Sequence, residues 1–398
     1  MTGVSTLGQA LRQIENLGLQ QTQFADLSTQ LATGKKSQTY TGLGTDALRS
    51  VRARTSLTSI DVYINNITKA DTRISLMLDS VEEFQAQTGE FSNTLTNFLQ
   101  EGDHQLGDNV YYDDPLTTEN DNIIVGKTSA QIDTDFTAMV NHATNLFDFL
   151  GDLLNAQEGD RYLLAGADSL NKPIEDKGTL DTTISNLLTE WKNGNITTDE
   201  LIDDIFDGTA LEGNSDAITD ATVGFSSSLS SDNAGDVYVR ADDNSEFKYT
   251  ALANEDSFRD ILVAMAVIKN ENLPPIVDVY EDGNYPGTPD VKGAPGSTAE
   301  EQQDNFYQLY NALSDRVASS IDEIDQTRFR LETVRVQMNE TQESHIQQQE
   351  LLLTEVSNVE DVDVNEIAVR ITTLQTQLQA SYSVTAITQQ LNLANYLR

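Results

Sequence analysis

Residues 57–98 read LTSIDVYINNITKADTRISLMLDSVEEFQAQTGEFSNTLTNF. Leu57, Ile60, Ile64, Ile67, Ile74, Leu78 and Val81 stand three, four or seven positions apart, and Met77, Phe84, Phe91 and Phe98 then recur every seven. Side chains at those intervals share one face of a helix with 3.6 residues per turn, so the stretch is one apolar stripe. No proline occurs before Pro115, and the spacing predicts a helix from Asp46 to Gln100 with a coiled-coil-like seam. At 1.5 Å per residue it is about 80 Å long, more than one compact domain spans.

Toward the N-terminus, Val4, Leu7, Leu11, Ile14, Leu17, Phe24, Leu27 and Leu31 form a second helical stripe. Gly34 ends that helix, and Lys35 and Lys36 stand beside its negative end. A loop, Ser37–Thr45, follows, with Thr45 or Asp46 as the expected N-cap of the long helix. Toward the C-terminus, residues 101–127 form a polar excursion, and a further amphipathic helix runs from Lys127 to Gln157. From Gly159 to Gly296 the texture changes: β-like runs at Arg161–Ala165, Val237–Arg240 and Phe247–Ala251, one helix at Ser257–Lys269, and a Pro-bearing linker from Pro274 to Pro295. Helical spacing resumes at Thr298, from Phe306 to Met338, and a last stripe carries Ile367, Ile371, Leu374, Leu378, Val384, Ile387 and Leu391.

Long helices at both ends can pair only if the chain folds back on itself. The expected fold is therefore mainly α with an α+β insertion: long antiparallel terminal helices form a coiled-coil-like stem, and a central β-containing domain projects from it. Its segments are an N-terminal polymerisation helix (1–45), the N-terminal half of the helical core (46–165), an acidic variable surface domain (166–296), the C-terminal half of the core (297–355) and a C-terminal polymerisation helix (356–398). The outermost helices are rich in Gln, Thr, Asn and Ser and poor in charge and aromatic residues, so each alone is marginal. Such ends order when many copies pack together. Leu7, Leu11, Ile14, Leu27, Leu31, Ile371, Leu374, Leu378, Val384, Ile387 and Leu391 are the candidate assembly contacts.

Charge separates the same regions. The chain has 64 acidic and 24 basic residues and a net charge of −40. Residues 101–300 hold 40 of the acids, whereas residues 1–100 are nearly neutral with 9 acidic and 8 basic side chains. A duplex or an anionic membrane repels such a chain, so neither nucleic acid nor membrane is an expected partner. The absence of cysteine excludes disulfides, thiolate metal sites and a Cys nucleophile. No basic stretch followed by an apolar run opens the chain, so no cleavable signal peptide is expected, and no apolar run is long enough to span a bilayer.

Nothing in the sequence favours catalysis. Gly42-Leu43-Gly44-Thr45-Asp46-Ala47 matches a loose G-x-G-x-x-A pattern, but phosphate binding there needs a preceding strand, and a helix end precedes it. His104, His142 and His345 lie in separate segments without metal-ligand spacing. The central acids Asp203-Asp204, Asp242-Asp243 and Glu281-Asp282 do not follow the order of a calcium loop. No enzyme activity and no cofactor are expected; an adhesive or cation-binding role for the acidic middle is the competing reading.

The ends also resemble a known family. Leu27-Ser28-Thr29-Gln30-Leu31-Ala32-Thr33-Gly34-Lys35-Lys36 is similar to the segment that ends the first helix of bacterial flagellins and hook-associated proteins. Glu360-Asp361-Val362-Asp363-Val364-Asn365-Glu366 resembles the acidic turn before their last helix, and Leu378–Ala386 with Leu391–Leu397 resembles their C-terminal signature. Val4-Ser5-Thr6 and Gly159-Asp160-Arg161-Tyr162-Leu163-Leu164-Ala165-Gly166, followed by Lys172-Pro173-Ile174, resemble the hook–filament junction branch, with a filament flagellin as the alternative. Gly42–Asp46 departs from the paired aspartates usual after the Gly-Lys turn. The resemblance covers roughly residues 1–165 and 300–398. It implies a structural, extracellular subunit of the flagellum, exported unfolded by the flagellar type III apparatus with a chaperone. It also implies helical assembly with itself, the hook, a second junction protein and the filament flagellin.

Overall fold

The computed structural model describes residues 3–104, 129–206, 217–271, 294–296 and 299–396. In chain order these form α1 (Gly3–Thr33), a 3₁₀ helix (Tyr40–Asp46), α2 (Ala47–His104) and α3 (Ser129–Leu154). Two short strands follow, β1 (Gln157–Glu158) and β2 (Arg161–Tyr162), then α4 (Gly178–Lys192), α5 (Thr198–Phe206), α6 (Asp220–Val223) and α7 (Ser227–Ser230). Strands β3 (Tyr238–Arg240) and β4 (Glu246–Lys248) precede α8 (Asp256–Asn270), α9 (Ala299–Glu360) and α10 (Val364–Tyr396). Contacts divide the chain into two compact units, Met1–Asn65 with Gln342–Arg398, and Asn66–Thr341. The division falls within α2 and α9.

The first unit holds α1, the 3₁₀ helix, the start of α2, the end of α9 and α10. Its long helices pair antiparallel: Arg49 with Glu355, Asp61 with Gln349, and Tyr63 stacked on His345 at 5.7 Å match rising numbers on α2 with falling ones on α9. Gly34 adopts φ +69, the left-handed conformation that ends a helix without steric cost. The expected N-cap at Thr45 or Asp46 is not formed. Tyr40–Asp46 forms 3₁₀ turns kinked at Gly44, whose φ of +60 is not helical, and runs into α2, so the Ala47 amide already bonds Gly44 O and needs no capping side chain.

The second unit has one continuous core. At its centre lies α8, in which every side chain from Ser257 to Ile268 is buried, as expected of a helix surrounded by others. It packs against α3, α4, α5 and α6. The seven-residue repeat of α2 is buried at Met77, Phe84, Phe91 and Phe98, yet it meets no single partner helix. Phe84 packs edge-on against Phe258 of α8 at 5.1 Å, Phe91 against His142 of α3 at 5.4 Å, and Phe98 against Phe136 of α3 and Tyr310 of α9 at 5.8 and 6.3 Å. In this unit the seam expected to be coiled-coil-like is a bundle core, because a period of seven states which face is apolar and not how many helices cover it.

Among the described residues of the middle, strand is limited to two antiparallel pairs, β1–β2 and β3–β4. The expected β character is thus reduced to two hairpins among helices. Helices α4 and α5 were not anticipated. Leu180, Ile184, Leu187, Leu188 and Trp191 of α4 have helical spacing and are all buried.

Candidate functional site

The terminal helices α1 and α10 lie antiparallel within the first unit. Midway along the pair Gln21 Nε2 donates to the Tyr382 hydroxyl at 2.7 Å, and Ser381 Oγ donates to Gln20 Oε1 at 3.3 Å. At one end the turn after α1 pairs with the turn before α10: Lys36 N donates to Glu360 O at 2.7 Å and Val362 N to Gly34 O at 2.9 Å.

This pairing divides the candidate assembly contacts into two sets. Leu374 and Leu378 are buried, and Leu27 and Ile371 are half-buried; they form the seam inside the pair. Leu11 and Ile14 remain 59% and 63% exposed, and Leu31, Val384 and Ile387 are exposed too. The side chains of Leu7 and Leu391 lie outside the described residues. Leu19, Val364, Val369 and Tyr382 add to the exposed apolar set, although only periodicity-breaking positions such as Leu19 and Val369 could have disclosed it from sequence.

Magnitudes decide what such a face can do. Full burial of an exposed Leu, Ile or Val side chain contributes about 1.5–3 kcal/mol, and the five candidate residues are on average about half exposed, so burying what remains contributes roughly 4–8 kcal/mol. Association costs about 4–15 kcal/mol in lost motion. These residues alone therefore bring an encounter between two copies close to balance and no further.

An ionic clasp holds the pair to the rest of the unit. Arg54 of α2 reaches Glu360 through Nε at 2.7 Å and Nη2 at 2.6 Å, a two-pronged charge-assisted contact. Ser50 Oγ and Lys35 Nζ donate to the same carboxylate, and Lys35 also pairs with Asp361. The Arg54 guanidinium, with Ser50 and Lys35, holds the Glu360 carboxyl down to about 2 despite its burial. Lys36 Nζ donates to the carbonyls of Asn358 and Val359 at 2.6 and 3.1 Å. The two lysines expected beside the end of α1 thus serve α9, whose last-turn carbonyls face them across the turn. Opposite charges on two turns hinted at this contact; Arg54 and Ser50 carried no sequence signal.

Comparison with known families bears on this segment. Residues 315–397 match the bacterial flagellin C-terminal helical region. The flagellin-like stretch includes the end of α9, Glu360, and all the exposed apolar positions named on α10. The comparison with curated proteins found no match. Among solved structures, one described as a flagellar hook-associated protein from Vibrio parahaemolyticus aligns at a TM-score of 0.33 and 11% identity, covering 76% of this chain and 96% of that one. At that score the likeness carries no functional weight.

The other candidate chemistries occupy structural positions. His345 is buried against Tyr63, and His142 lies against Phe91. The G-x-G-x-x-A stretch is the 3₁₀ turn leading into α2. Among the described residues no group of three or more His, Cys, Asp and Glu is placed to hold a metal ion, and no helix is long and apolar enough to cross a membrane.

Proposed function

We propose that this chain is a structural subunit of the bacterial flagellum that assembles helically through α1 and α10. The observation that carries the reading is the set of exposed apolar side chains on this helix pair: Val384 and Ile387 on α10 lie within the segment that matches the flagellin C-terminal region, and Leu11 and Ile14 lie on α1, which packs against it. No catalytic role is part of the proposal. The hook–filament junction is the favoured place, supported by Val4-Ser5-Thr6 and by Gly159–Gly166; the filament itself is the alternative. Partners are other copies of the chain and the neighbouring axial proteins, after export through the flagellar type III apparatus with a chaperone.

Deletion of residues 1–33 or 364–398 is expected to abolish polymerisation, followed by light scattering and electron microscopy, while the unit Asn66–Thr341 keeps its cooperative melt. A truncated chain that still polymerised would overturn the assembly role. Immunogold counts along the flagellum separate a short junction zone from a long filament.

A further inference from the structure

Lys69, Arg73, Arg161 and Arg240 line one cleft of about 730 Å³ within the unit Asn66–Thr341. Glu158 is the one carboxylate among its described lining residues. In a chain with a net charge of −40 this concentration of cations runs against the composition.

Two of the four cations are committed to the fold. Arg73 is buried and donates to the carbonyls of Tyr162 and Leu163 at 2.5 and 3.3 Å, with Glu158 3.8 Å away. Arg240 donates to the carbonyls of Asp242 and Asp243 at 3.2 and 3.3 Å. Lys69 and Arg161 are exposed and make no ion pair among the described residues.

The wall opposite α2 is β3. Val237 O accepts from Tyr249 N, and Ala241 N donates to Ser245 O, so alternate residues of this strand direct their backbone toward β4. The backbone groups of Tyr238 and Arg240 then lie on the other edge, toward α2, where Asn66 Nδ2 donates to Arg240 O at 3.4 Å. The floor comes from the Gly159–Gly166 segment. A Cβ at Gly166 would lie 2.7 Å from Gly235 O, so a glycine is needed to bring that turn against the strand.

We propose that this cleft binds an extended acidic peptide segment of a partner. Its carboxylates meet Lys69 and Arg161, and its backbone adds to the edge of β3 that faces away from β4, displacing the long Asn66 contact to Arg240 O, as in strand-addition recognition. The volume lies within the usual range of ligand sites, which suits a short peptide stretch and not a folded domain. The reading is independent of assembly through α1 and α10.

The test is fluorescence anisotropy of a fluorescein-labelled hexaglutamate peptide with the full-length chain at low salt. The net charge of the protein repels this probe elsewhere on its surface, so binding reports a local cationic site. Binding is expected, weakened at least tenfold by Lys69→Glu with Arg161→Glu, by a hexaglutamine probe, and by N-methylation of alternate peptide amides. Both substituted side chains are exposed, and an unchanged thermal melt verifies the fold of the variant. No anisotropy change with the native chain, equal binding to the double variant, or indifference to N-methylation would overturn the proposal.

Discussion

Glu360 shows how one carboxylate can hold three parts of the chain. Its side chain joins Lys35 after α1, Ser50 and Arg54 on α2, and the end of α9. Glu360→Ala leaves Arg54 and Lys35 partly solvated, not stranded, so a loss of about 1–3 kcal/mol from the first unit is expected, read as earlier amide exchange in α1 and α10. Two carboxylates give opposite responses to pH. Glu360 has a folded value of about 2 against an ordinary 4.5, so its contribution is present above pH 4.5 and is lost as pH falls toward 2. Asp260 on α8 is pushed up to about 6 by burial, against the pull of Arg316 at 3.2 Å and of Arg259. Its ionised form therefore costs stability above pH 6, and acidification from pH 7 to 5 is expected to stabilise the second unit by about 1 kcal/mol. Thermal melts across that range test this: Asp260→Asn should remove the gain, and a gain unchanged in that variant would refute the assignment.

At the scale of the element, α1 and α10 each have an inner and an outer side. Leu374→Ala and Leu378→Ala remove buried volume and are expected to loosen the pair by about 2–4 kcal/mol each. Leu11→Asp with Ile14→Asp places charge on the exposed side, where surface substitutions shift stability by only about 0.5 kcal/mol. The subunit should then fold normally and fail to polymerise, as followed by circular dichroism and sedimentation. If the aspartate variant assembled as the native chain does, these residues would not be the contact. Helix positions were legible because 3.6-residue periodicity is local: the expected spans 46–100, 127–157 and 257–269 correspond to α2, α3 and α8. The 3₁₀ turn at Tyr40–Asp46 was not, since Gly, Thr and Asp there suit a loop and a helical turn equally.

For the whole molecule, charge sets the conditions of assembly. Copies with a net charge of −40 repel one another through solvent, and that repulsion is screened over about 10 Å at 0.1 M salt. Polymerisation is therefore expected to accelerate as sodium chloride rises from about 0.01 to about 0.2 M, by light scattering, whereas an ionic contact surface would give the reverse dependence. Periodicity, net charge and the absence of cysteine were properties of the chain read in order, and they determined the long terminal helices, the acidic middle and the exclusion of thiol chemistry. What periodicity could not do was assign a partner to each stripe, because a stripe is apolar in the same way whether it is covered by its own chain or by a neighbour. Only the tertiary structure decided that Leu374 and Leu378 are spent within the subunit while Leu11, Ile14 and Ile387 stay in water. It alone brought Lys69, Arg161 and the edge of β3 to one cleft, since contacts between residues so far apart in sequence depend on how the helices pack and not on any local pattern.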